Sequence, residues 1–125
     1  MGFDWPPRGK RPSKFGAVRS GGFGSKLEAS VHQILLLKAK AGAISDIRMQ
    51  DTVDLTCGIN WKVDFSYDDH ATGVRVWVEA KGVESERYRI CLKLWRRHGP
   101  GRLEIYKGRY EDPRLVRTII PTGER

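Results

Sequence analysis

One hundred and twenty-five residues are enough for one domain with a single core and too few for two. Lys and Arg total 23 against 15 Asp and Glu, a formal net charge of +8, so anionic partners are expected, nucleic acid first among them. No apolar run approaches the ~20 residues that span a bilayer, no signal-peptide core is present, and Cys57 and Cys91 stand outside any zinc spacing, so we expect a soluble cytoplasmic protein with two reduced thiols and no membrane partner.

Residues 1–24 read as a flexible basic arm. Arg8, Lys10, Arg11, Lys14 and Arg19 face a single acid, Asp4, among prolines and glycines and without periodicity. Such an arm can lie on phosphates, with Trp5, Phe15 and Phe23 available for stacking. Gly21-Gly22-Phe23-Gly24 lacks the Lys-Ser/Thr of a phosphate-cradling loop and reads as a hinge.

A helix is expected from Ser25 to just before Gly42. Ser25 and Glu28 have capping-box spacing, and Leu27, Val31, Ile34 and Leu35 form an apolar stripe. Three extended segments follow. The first covers Ile44 to Leu55 and is irregular around Gln50 and Asp51. The second, Trp61 to Tyr67, alternates strictly, which predicts Trp61, Val63, Phe65 and Tyr67 on one face and Lys62, Asp64 and Ser66 on the other. Turn residues Asp68 to Gly73 lead to the third, Val74 to Lys81, with Val74, Val76, Val78 and Ala80 opposite Arg75, Trp77, Glu79 and Lys81. A second helix, Ser85 to His98, would bury Tyr88, Cys91, Leu92 and Trp95 and carry Arg89, Lys93, Arg96 and Arg97 on a basic side. His98 suits the negative end of its dipole. Arg102 to Tyr106 is a strand, and Val116 to Ile120 can add a short edge strand within a basic C-terminal extension, 108–125. The order helix, three strands, helix, strand predicts an α+β domain over 25–107, one sheet covered by helices.

The chemistry is concentrated in Val78-Glu79-Ala80-Lys81-Gly82. Glu79 and Lys81 are two apart on a strand and project to the same side. A carboxylate there can hold a hard cation such as Mg²⁺, and an ammonium beside it can orient water and offset charge on a scissile phosphate. Asp64, on the polar face of the preceding strand, can reach the same cation if the hairpin pairs normally. Each residue also has a plain reading. Glu79 and Lys81 can be a solvated pair, Asp64 an ordinary outward residue, and Glu28 the far half of a capping box. His32, one turn after Glu28, reads as a packing or exposed histidine.

The joint pattern is more specific than its parts. Glu28 on the first helix, Asp64 in Lys62-Val63-Asp64-Phe65, then Glu79-Ala80-Lys81 on the next strand resembles the PD-(D/E)XK nuclease superfamily. Ser25-Lys26-Leu27-Glu28-Ala29, the basic helix and Leu103-Glu104-Ile105 resemble, more closely, short phage-encoded endonucleases related to Holliday-junction resolvases of the phage endonuclease I type. The resemblance covers about residues 22–107; Val63 stands where the superfamily's name has Pro. It implies a restriction-endonuclease-like α-β-β-β-α-β core with a mixed four-stranded sheet flanked by helices. It implies Asp64, Glu79 and the Ala80 carbonyl as ligands of Mg²⁺, with Mn²⁺ able to substitute. Lys81 would position the attacking water, and Glu28 would complete the site directly or through a bound water. Hydrolysis would leave a 5′-phosphate and a 3′-hydroxyl. The expected phosphate contacts are the arm, Lys26, Lys62, Arg89, Lys93, Arg96 and Arg97.

No further domain is expected to read base edges, which favours structure-selective cutting of branched DNA. Two coordinated cuts then imply a homodimer, in which the hinge before Ser25 would permit arm exchange. The competing readings are a nickase or restriction-like nuclease on duplex or single-stranded DNA, and a nucleic-acid-binding protein without catalysis.

Overall fold

The computed structural model describes residues 25–123, so the basic arm lies outside the described residues. The elements run α1 (Lys26–Lys40), β1 (Ile44–Thr56), β2 (Ile59–Asp69), β3 (Arg75–Ala80), α2 (Glu86–His98), β4 (Arg102–Arg109) and β5 (Asp112–Ile119). Both helices begin where capping chemistry directs. Ser25 Oγ accepts from the Glu28 amide and Ser85 Oγ from the Tyr88 amide, both at 3.1 Å.

The strands form one mixed sheet in the order β1-β2-β3-β4-β5. Only β3 and β4 are parallel, and α2 makes the crossover that such a pair requires. The sheet has five strands, not the four expected, because the chain turns back after Arg109 and pairs Leu103–Arg109 with Asp112–Ile119. Gly108 makes the hairpin possible: its φ is 107°, and a Cβ there would stand 3.0 Å from the Asp112 carbonyl oxygen. Pro113 is tolerated because β5 is an edge strand. Much of the stretch read as a C-terminal extension is therefore sheet.

Two apolar clusters cover the sheet. Leu27, Val31 and Leu35 of α1 pack with Phe65, Tyr67, Val76, Val78 and Tyr106. Tyr88, Cys91, Leu92 and Trp95 of α2 pack with Leu103, Ile105 and Ile119, and with Val53, Leu55, Trp61 and Val63 of the far half of the β1–β2 hairpin. Here the expectation from alternation needs correction. Trp61 and Val63 serve the α2 cluster whereas Phe65 and Tyr67 serve the α1 cluster, so Asp64 sits where β2 passes from one to the other. Opposite this stretch, Gln50 of β1 adopts φ 56°, a left-handed conformation that breaks regular pleating. Val74 lies just outside β3 and is exposed rather than part of its inner face. The two cysteines are free, Cys57 exposed and Cys91 buried. Among the described residues no helix is long and apolar enough to cross a membrane.

Candidate active site

The β2–β3 ladder runs from Asp68↔Arg75 to Phe65↔Val78 and then stops. Beyond it the two strands are held by their own carboxylates. The Asp64 amide donates to Glu79 Oε1 (3.1 Å) and the Ala80 amide donates to Asp64 Oδ2 (2.8 Å). Backbone N–H groups that lose a ladder partner need another acceptor, and here each carboxylate supplies one. The exchange fixes Asp64 and Glu79 side by side. β3 stays tied to β4 past its end, because the Lys81 amide donates to the Tyr106 carbonyl at 2.9 Å. Lys81 Nζ lies 5.2 Å from the centroid of the Tyr88 ring on α2, a cation–π contact that anchors the ammonium.

Glu28 reaches the site from α1. Its Oε2 accepts from Gln50 Nε2 at 3.1 Å, and the same amide also eases the ionisation of Asp64. Gln50 is thus the link between α1 and the strand carboxylates, a role not read from the sequence. The only signal was the irregularity of the first strand at that point. His32 stacks on Phe65, centroids 5.5 Å apart, and burial lowers its pKa. It thus packs against the residue that follows Asp64 on β2.

The electrostatics follow from burial and crowding. Glu79 is only 5% exposed. Desolvation, then repulsion from Asp64, pushes its pKa up to about 8, against the opposing help of the Asp64 amide and Lys81. Desolvation likewise raises Asp64 to about 6. The Ala80 amide and Lys81 oppose the rise, and Glu28 adds to it. Two neighbouring carboxylates that resist joint ionisation are relieved by a hard divalent cation, so the donor set fits Mg²⁺. Asp64, Glu79 and the Ala80 carbonyl are the groups that would hold such an ion. Among the described residues no group of three or more His, Cys, Asp or Glu side chains is arranged to hold a metal ion. Glu28, hydrogen-bonded to Gln50, is near enough to add to the rise of both Asp64 and Glu79.

The remaining sequence candidates are spread more widely. Arg89, Lys93, Arg96 and Arg97 are exposed along α2, as expected. Lys62 is exposed on β2, and Lys26 Nζ lies 4.9 Å from the centre of the Tyr110 ring. Arg8, Lys10, Arg11, Lys14 and Arg19 lie outside the described residues.

Gln50 gives a prediction separating site from scaffold. Its left-handed backbone costs about 1 kcal/mol for a non-glycine residue. Gln50→Gly is expected to leave thermal stability equal or slightly higher while removing the amide that joins Glu28 to Asp64. Any activity of the site should fall about tenfold or more, since one hydrogen bond to a charged group contributes ~1.5–3 kcal/mol. Melting curves and turnover on one preparation check it, and equal loss of both would make Gln50 structural only. Known families, curated proteins and solved structures provided no match to this chain.

Proposed function

We propose that this chain is a Mg²⁺-dependent DNA endonuclease of the PD-(D/E)XK kind, built on a restriction-endonuclease-like core. The observation that carries the reading is the reciprocal brace of Asp64 and Glu79 at the point where β2 and β3 part, with Lys81 two residues after Glu79, just past the end of β3. The pair braces the strands, yet neutral acceptors would do that without the cost that two buried, mutually repelling acids impose on the unbound fold. It gains a purpose once a cation and a phosphodiester share the site.

Asp64 and Glu79 would hold the cation against the scissile phosphate. When bound, Mg²⁺ supplies charge neutralisation and polarisation of the phosphate. Lys81, steadied by Tyr88, orients the attacking water and offsets charge as it develops on phosphate oxygens. Gln50 and Glu28 keep Asp64 aligned from the α1 side. No covalent intermediate on the protein is required, and the products would be a 5′-phosphate and a 3′-hydroxyl.

Within this reading we propose branched DNA as the preferred substrate and a homodimer as the acting form, Mn²⁺ being able to replace Mg²⁺. The test is Mg²⁺-dependent cleavage of four-way junction, flap, nicked and linear DNA. Lys81→Ala should lower the rate by about 10²–10³-fold while DNA binding changes little, the size of effect expected for one transition-state charge partner. Equal rates on junction and linear duplex would remove the branched preference and leave the nuclease. DNA binding without any Mg²⁺-dependent cleavage, unaltered by Lys81→Ala, would reduce the chain to a binding protein.

A further inference from the structure

Sheet register carries the site's face further than the carboxylates. Glu79 of β3 stands opposite Ile105 of β4, and Ile105 stands opposite Arg117 of β5. Three residues in one row across adjacent strands put the Arg117 backbone about 10 Å from that of Glu79, two strand spacings. Ile105 belongs to the cluster under α2, so this row lies beneath that helix. Between α2 and β5 is an open cavity of about 270 Å³ lined by Arg89, Leu92, Lys93, Arg96, Arg117 and Glu84. Its one acid, Glu84, is held in an ion pair by Lys107. None of the four cations forms an ion pair among the described residues.

The cavity and the carboxylates are electrically joined. The Tyr88 hydroxyl, raised chiefly by burial, also feels Glu84, Glu79 and Arg117, and the Tyr88 ring lies under Lys81 Nζ. Four cations set against one acid, which Lys107 also engages, leave the cavity net positive, and an anion seated among them relieves their repulsion. The shape is too open for a small apolar ligand and suits a repeated anion that continues from the site beside it.

We propose that the α2–β5 cavity is a second phosphate seat. Arg117 and Lys93, with Arg89 and Arg96, grip a phosphate of the same nucleic-acid strand a few nucleotides from the bond held at Asp64 and Glu79. This rests on the nuclease reading for its occupant, and it makes β5 part of the binding surface, which the expected phosphate contacts on the arm, Lys26, Lys62 and α2 did not include. The seat fixes the register of the strand and carries no base preference.

The experiment measures anisotropy of a fluorescein-labelled short DNA duplex with EDTA present, so that hydrolysis plays no part. Arg117→Ala and Lys93→Ala should each weaken binding by about tenfold, the size of one lost charge-assisted contact. Each should also lower the slope of log affinity against log salt by about one. Arg114→Ala, on the same strand but paired with Asp112 at 2.8 Å, should change neither. Both side chains are exposed, so matching melting curves will show the variants folded. Wild-type affinity in both variants, losses no larger than for Arg114→Ala, or no DNA binding by the parent protein would overturn the proposal. Losses in Arg117→Ala and Lys93→Ala without Mg²⁺-dependent cleavage by the parent would leave the seat standing and remove the nuclease. Cleavage with a silent Arg117 would do the reverse.

Discussion

Glu79→Gln is expected to abolish Mg²⁺-dependent cleavage and, in metal-free buffer above pH 7, to make the protein more stable than the parent. The two effects have one cause. Glu79 is buried against Asp64, and both carboxyls hold their protons more tightly folded than unfolded, Glu79 up to about 8 and Asp64 up to about 6. A raised carboxyl pKa means that the folded state binds more protons than the unfolded chain across the interval between the two values. The stabilising contribution is complete below about pH 4, the ordinary carboxylate range, and is lost as pH rises through 6 and then 8. Glutamine keeps the shape and can still accept the Asp64 amide without carrying the charge. Its melting temperature should therefore stay flatter between pH 5 and 9, with an advantage on the order of a few kcal/mol at the alkaline end. Mg²⁺ should narrow the gap by stabilising the parent, by about 1.4 kcal/mol when present at ten times its dissociation constant, and should do little for the variant. Cleavage should fall by at least about a thousandfold, because a lost ligand removes several kcal/mol of charge stabilisation. The measurements are melting temperature against pH, with EDTA and with Mg²⁺, and cleavage at saturating Mg²⁺. A parent at least as stable as the variant in EDTA at pH 8.5 would contradict the buried-charge account. Retained cleavage would remove Glu79 from the site.

What the sequence revealed and what it hid follow from the range of the interactions. Local signals were legible: Ser25 and Ser85 start the helices they were expected to start, and Gly42, at φ 85°, lies just past the end of α1. The period-two pattern of β3 placed Trp77 and Glu79 on one side and Val76 and Val78 on the other. The β2–β3 hairpin brings Asp64 and Glu79 together, though past the end of the ladder and through their carboxylates rather than by regular pairing. The hidden parts depend on contacts remote in sequence. Gln50 meets Glu28 across 22 residues through a left-handed backbone that no propensity predicts for glutamine. The transfer of Trp61 and Val63 to the α2 cluster depends on where β2 and β3 part, which alternation alone cannot register. Arg117 lay within the short edge strand expected at Val116 to Ile120, but its alignment with Ile105 and Glu79 depends on a register that the sequence does not show.

Trp95→Ala should be the most destabilising single change among the described core residues, and its effect should reach the site without touching it. Trp95 is fully buried and meets Trp61 and Trp77 edge-on, with centroids 5.9 and 5.8 Å away. Its indole N–H donates to the Gly101 carbonyl at 2.7 Å, tying α2 to the entry of β4. The chain also folds tightly over the ring: a Cβ on Gly99 would lie 2.6 Å from it. Truncation removes this whole contact set and leaves a cavity that three separate elements would have to close, at a cost of ~3–5 kcal/mol. Against a total stability of ~5–15 kcal/mol for a domain, that leaves a marginal fold. At ~4–8 °C per kcal/mol the melting temperature should fall by tens of degrees. Trp95→Phe retains most of the packing and loses the N–H donor, so a loss of ~1–3 kcal/mol is expected. The two variants separate packing from site chemistry, because α2 carries Tyr88 beneath Lys81 while β3 carries Trp77 and Glu79. Trp95→Phe should keep Mg²⁺-induced stabilisation. Trp95→Ala should lose it even at temperatures where circular dichroism still reports helix, since α2 is then no longer clamped to β3. Retention of both stability and Mg²⁺ response in Trp95→Ala would mean that the α2 cluster does not set the geometry of the carboxylates.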